Sequence, residues 1–130
     1  MERANVEFHQ DMVRGAQTLQ SEIGYNPSRF LQMVGEHGGV EASKRLLTGP
    51  DASDGFTVLW EHSRLEMSLE AFALLPWYAP LFTRSELRTA RRRLEEHRFD
   101  VDGFLEHAAA QPPDWWEPSD TTQSRSVASN

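Results

Sequence analysis

Four of the five histidines directly follow a glutamate: Glu36-His37, Glu61-His62, Glu96-His97 and Glu106-His107. An imidazole beside a carboxylate is the starting material for acid-base catalysis or a metal site. The spacing argues against both. Neighbours on a helix point about 100° apart, so one such pair cannot close on a single ion. Zinc-binding helices instead set two histidines four apart with a glutamate beside the first, a spacing this chain lacks. The reading is no metal site, with histidines on solvated faces or at helix ends. His37, just before Gly38, is placed to offset the dipole of its helix.

Other chemistries fail on residue type. There is no cysteine, which removes thiol nucleophiles, thiolate metal sites and disulfides together. There is no Gly-x-Ser-x-Gly elbow. Gly38-Gly39 has neither the glycine spacing of a phosphate cradle nor the lysine and hydroxyl that follow one. Acidic residues are spread over every predicted helix, so no carboxylate pair is singled out. We therefore expect no catalytic residue and no cofactor, and rank a metal-dependent or acid-base enzyme third among the functional readings.

Two features remain. The first is the run of Arg84, Arg88, Arg91, Arg92, Arg93 and Arg98. At helical spacing Leu87, Ala90 and Leu94 form a buried face, while Arg84, Arg88, Arg91 and Arg92 fall along one flank. Arg91 with Glu95 and Arg92 with Glu96 can pair one turn apart, worth a few tenths of a kcal/mol each, about 0.3. The second is Asp114-Trp115-Trp116-Glu117-Pro118. Two indoles in an acidic, proline-rich segment must fold back on the domain or anchor a partner. A sharper expectation is that this acidic tail covers the arginine flank and is displaced by a partner.

Met33 to Leu47 also bears comparison with a helix-hairpin-helix, whose glycine amides face a phosphate. Glu36 stands where such hairpins want glycine and would repel the phosphate, an objection that Lys44 and Arg45 soften. A nucleic-acid reading would use Lys44, Arg45, Arg88 and Arg92.

The positioning elements are all helices. Val6, Val13, Ala16, Leu19 and Ile23, with Phe8 and Met12, predict a first helix over about residues 4–23, ended by Gly24. Asn26-Pro27 predicts a cap and the start of a second helix, with Phe30, Met33, Val34 and His37 on one face. It stops at Gly38-Gly39. Val40, Ala42, Leu46 and Leu47 belong to a third helix, terminated by Gly49-Pro50. Asp51 or Ser53 caps a fourth, near 54–63, that turns Phe56, Leu59 and Trp60 inward. Ser68 caps a fifth with Leu69, Phe72, Ala73 and Leu75, and Pro76 and Pro80 bracket a Trp-Tyr loop. Thr83-Arg84-Ser85-Glu86 is a capping box opening the sixth. Asp100 caps a seventh with Val101, Phe104, Leu105 and Ala108, which Pro112-Pro113 ends. No strand and no internal repeat is expected.

A chain of 130 residues fits one domain. Its 38% hydrophobic and 25% charged residues are ordinary for a globular protein. With 20 acidic against 13 basic side chains the net charge is -7, so the averaged field repels nucleic acid and anionic lipid. The run Ala71-Phe72-Ala73-Leu74-Leu75-Pro76-Trp77-Tyr78 is too short to cross a bilayer, and the N-terminal residues carry no signal-like apolar run. We expect no membrane partner and a cytoplasmic location.

The stretch Tyr25-Asn26-Pro27-Ser28-Arg29-Phe30-Leu31-Gln32-Met33-Val34, then Glu36-His37-Gly38-Gly39-Val40-Glu41-Ala42, then Gly55-Phe56-Thr57-Val58-Leu59-Trp60-Glu61, resembles a group of small helical bacterial proteins. The group is associated with accessory modules attached behind restriction-type enzymes. Leu81-Phe82-Thr83, Glu86-Leu87 and Ala90-Arg91-Arg92-Arg93-Leu94 extend the resemblance over roughly residues 25–95. It implies an accessory role in bacterial defence or regulation and carries no functional residue over.

The expectation is thus an all-α, irregular bundle of six to seven short helices with a long N-terminal helix. Residues 1–110 form the domain and 111–130 a polar tail, disordered toward the end. The function read from the sequence is a non-catalytic protein-protein interaction or accessory module. Its candidate contacts are Arg84, Arg88, Arg91, Arg92, Trp115 and Trp116. The alternative is a nucleic-acid-binding domain on the sixth helix. The first helix's stripe serves a homodimer or a monomer equally, so the oligomeric state stays open.

Overall fold

Phe8 decides how the first helix lies. In the computed structural model, which describes residues 2–116, its ring is fully buried and meets Tyr78 and Phe82 edge-on at 5.1 and 5.3 Å. Helix α1 (Glu2–Thr18) therefore buries Ala4, Phe8, Met12 and Ala16, one residue per turn. Val6, predicted to face inward, is 48% exposed. It stands two residues from Phe8, about 200° round the helix, and burying the larger aromatic turns the valine out. Leu19–Ile23 continues α1 as a single wide π-turn that Gly24 ends at φ +79°, a left-handed conformation that glycine adopts without strain.

Helix α2 (Ser28–His37) follows Pro27, but without the predicted asparagine cap. The Asn26 side chain instead accepts from Gln20 Nε2 at 2.7 Å, tying the loop back to the end of the first helix. Gly38, at φ +86°, turns the chain into α3 (Gly39–Thr48). A Cβ on Gly39 would lie 2.7 Å from the His9 Cα, so glycine is required where α1 crosses the corner.

The remaining starts follow local hydrogen bonds visible in the sequence. Of the two candidates for α4 (Asp54–Glu61), Ser53 is the cap, accepting from the Phe56 amide at 3.2 Å. Ser68 accepts from Ala71 at α5 (Leu69–Leu74), and Asp100 from Gly103 at α7 (Val101–Ala109). At α6 (Arg84–Glu96) the capping box is complete: the Glu86 amide donates to Thr83 Oγ1 and the Thr83 amide to Glu86 Oε1. Short 3-10 turns at Leu65–Met67 and Ala79–Leu81 complete the path. Among the described residues there is no strand, and the architecture is the expected all-α irregular bundle with a long N-terminal helix. No described helix is long and apolar enough to cross a membrane.

The buried apolar residues form two clusters. One joins α1, α3, α5 and the Trp77-Tyr78 loop; the other holds Leu19, Phe56, Leu59, Leu65, Leu94 and Val101. Leu74, Phe104 and Leu105 pack against both and weld them together. Trp60, predicted to point inward, is 47% exposed and rests edge-on against His97 at 5.0 Å. Phe56 already fills the inner side of that helix and meets the same imidazole at 4.9 Å, so the second large ring is left outside.

Candidate functional site

The face that α6 buries comprises Glu86, Ala90, Arg93 and Leu94, with Leu87 half-buried. Leu46 and Gly49 carbonyls and the Glu70 carboxylate receive the Arg93 guanidinium, at 3.1, 2.9 and 3.3 Å. One of the six arginines of the run is therefore a core residue. Burial pushes the Glu70 carboxyl up from its ordinary value, against the pull of its own backbone amide and of Arg93.

The other arginines divide in two. Arg91 bridges Glu95 at 3.1 Å and Asp102 of α7 at 3.2 Å, and Arg92 stands 3.8 Å from Glu96. Both one-turn pairs foreseen from the spacing are present. Arg84 and Arg88 are exposed on the same side of α6, one turn apart, and have no carboxylate partner among the described residues. Arg84 occupies the first position of the helix, where a positive charge opposes the helix dipole. Among the described residues Arg29 and Arg98 also lack a carboxylate partner, but they share no helix.

The basic residues of the α2–α3 corner are engaged. Lys44 Nζ lies 2.8 Å from Glu86 Oε1, the same oxygen that serves the capping box, and Arg45 pairs with Glu41 at 3.4 Å. Burial alone would raise the Glu86 carboxyl, but the hydrogen bonds from Lys44 and the Thr83 amide outweigh it and hold it below the ordinary value. The Gly39 amide, which a phosphate-binding hairpin would present outward, donates to His9 Nδ1 at 2.9 Å.

Trp115 and Trp116 fold back on the domain. Trp115 lies 5.9 Å from the Tyr78 ring with Arg3 over its face, and Trp116 lies 5.4 Å from Trp77. The beginning of the tail thus rests on α1 and the Trp-Tyr loop, and Asp114 forms no ion pair with the arginine flank among the described residues. Glu117 and the terminal segment expected to be disordered lie outside the described residues.

Four of the histidines make contacts within the protein. His62 and His97 reach the Val58 and Arg93 carbonyls one turn back at 3.0 and 2.8 Å, His9 receives Gly39, and His37 closes α2 at 3.8 Å from Glu36. Among the described residues no three potential metal ligands converge.

A further site was not anticipated from the sequence. A cleft of about 580 Å³ opens between α1, the start of α2, the start of α4 and residues 67–70. Its walls include Met12, Phe30, Met33, Phe56 and Met67, and its polar groups include Asp11, Ser53, Asp54, Glu70 and Arg29. Asp11 accepts from the Tyr78 hydroxyl, and burial raises its carboxyl above the ordinary value. The volume falls within the usual range of small-ligand sites, about 300–1,000 Å³. Gly15, inside α1, also borders it.

Comparison with protein-family models, curated proteins and solved structures found no match.

Proposed function

We propose that the chain is a non-catalytic interaction module that holds an acidic surface of a protein partner through Arg84, Arg88 and Arg92. One observation carries this reading: Arg84 and Arg88 are exposed along one flank with no ion-pair partner among the described residues, in a chain with 20 acidic residues and 13 basic ones. Arg91, Arg93, Lys44 and Arg45 are all held by internal partners, and Arg92 has only the longer contact with Glu96 at 3.8 Å. Aligned exposed charges steer encounter and select an oppositely charged partner.

A nucleic-acid partner is the second reading. The occupied Gly39 amide, the pairing of Lys44 with Glu86 and the net charge of -7 weigh against it. An accessory role in bacterial defence or regulation rests on the resemblance described above, and a cytoplasmic setting on the absence of cysteine.

The test is binding to labelled poly-glutamate and to duplex DNA across a salt series. The expected result is retention of poly-glutamate, weakened by salt and by roughly tenfold or more in the double variant Arg84→Glu/Arg88→Glu. Tighter retention of DNA, or indifference to the double reversal, overturns the reading.

A further inference from the structure

Three helices begin at the cleft, and one of them begins open. The Ser53 hydroxyl takes the Phe56 amide at the start of α4, and Ser68 takes the Ala71 amide at the start of α5. Pro27 gives α2 no side-chain cap, and the amides of Arg29 and Phe30 donate to no group among the described residues. Both residues line the cleft. Arg29 stands in that first turn, where a positive charge opposes the helix dipole, and it is exposed with no carboxylate partner among the described residues. A guanidinium beside open amides on the wall of a cleft is suited to a carboxylate.

The acidic groups of the cleft differ in what they have left to offer. Glu70 is engaged by Arg93, and Asp11 by Tyr78 and Arg14. Asp54, the first residue of α4, is exposed and has no ion-pair partner among the described residues, Arg29 included. The cleft therefore presents a free guanidinium and a free carboxylate, carried by different helices and not joined to each other. A ligand of one charge sign would meet one of them and face repulsion from the other. A molecule with a carboxylate at one end and an ammonium at the other meets both.

The apolar walls say what lies between those ends. Met12, Met33 and Met67 line the space, three of the four methionines in the chain. Thioether side chains are flexible and polarizable and repack around varied apolar shapes. Phe30, Met33 and Met67 are only half-buried, so this surface is reachable. A volume of about 580 Å³ exceeds what a single amino acid fills. We propose that the cleft binds a short apolar peptide with both ends free, its carboxylate on Arg29 at the open start of α2, its ammonium against Asp54, and its side chains among Phe30 and the three methionines. No residue of α6 lines the cleft, so this site stands apart from the arginine flank.

The test titrates leucyl-phenylalanine, its N-acetyl form and its C-terminal amide into the full chain, by calorimetry and by the methyl resonances of labelled methionines. The free dipeptide saturates at one equivalent and shifts Met12, Met33 and Met67, and blocking either end weakens it about tenfold. In Arg29→Gln the dipeptide and its amide bind alike, while acetylation still weakens binding. In Asp54→Asn the pattern reverses: acetylation no longer matters and amidation does. An amide that binds as tightly as the free dipeptide to the parent protein would show a cation site, and an equally tight acetyl form an anion site; either overturns the proposal. So does the absence of binding at millimolar concentration, or binding that leaves the three methionines unshifted. The blocked ligands are compared on the unaltered protein, so the test stands whether or not the variants fold.

Discussion

Arg93 and Glu70 lie 3.3 Å apart with side chains 4% and 1% exposed, joining α6 to α5 inside the protein. The same guanidinium donates to the Leu46 and Gly49 carbonyls, so one side chain also fastens the end of α3. Removing either partner strands a buried charge, whereas replacing both with apolar groups of similar volume does not. Arg93→Met is expected to cost roughly 3–5 kcal/mol in urea unfolding. The pair Arg93→Met/Glu70→Leu should recover a large part of that loss. A double variant as unstable as the single one would show that the carbonyl contacts of Arg93, not its pairing with Glu70, set the cost.

Glu86 gives a pH-dependent prediction. Its carboxyl sits below the ordinary value of 4.5, so the unfolded chain takes up a proton before the folded one does. Its stabilising contribution is therefore present above the unfolded value and is lost as pH falls through the lower, folded one. Glu86→Gln can keep the capping hydrogen bond through its amide oxygen but loses the charge facing Lys44, and should lower stability by about 1 kcal/mol at neutral pH. The gap between variant and parent should narrow below pH 4.5. Unfolding curves at several acidic pH values measure it.

Ser43 is fully buried in α3, and its hydroxyl has no hydrogen-bond partner among the described residues. A hydroxyl buried without a partner costs about 1–3 kcal/mol in desolvation, and alanine is the better helix former. Ser43→Ala should therefore raise stability by about 1 kcal/mol. A fall in melting temperature would show that the hydroxyl is satisfied in solution.

Trp115 and Trp116 pack against Tyr78 and Trp77. Trp115→Ala/Trp116→Ala should lower stability by about 2–4 kcal/mol through lost apolar contact. Amide exchange should quicken in the Trp77-Tyr78 loop and first turns of α1, leaving the exposed side of α6 unchanged. Faster exchange confined to Arg84–Arg92 would instead favour a tail that shields the arginines.

The sequence disclosed what depends on neighbours in the chain. The Thr83-Glu86 box, the Ser53, Ser68 and Asp100 caps and the Gly24 and Gly38 stops are settled within a few residues, and each is found where the pattern places it. Asn26 failed because a side chain six residues earlier competes for its oxygen. Arg93 belongs to the arginine run but not to its flank, and its burial is not legible in the sequence because its partner is 23 positions away on another helix, a meeting that no local spacing encodes. The cleft was hidden for the same reason, its walls coming from segments that only folding assembles. The rotation of α1 depends on a ring pocket made by Tyr78 and Phe82, so the choice between Val6 and Phe8 could not be made from the first helix alone.

The cation of Arg3 standing 5.9 Å over the Trp115 ring brings the two extremities of the described chain together. A reporter domain or tether joined at either extremity would leave the protein from one shared edge. Two such labels, one per extremity, would report high energy transfer in the folded molecule and lose it on unfolding.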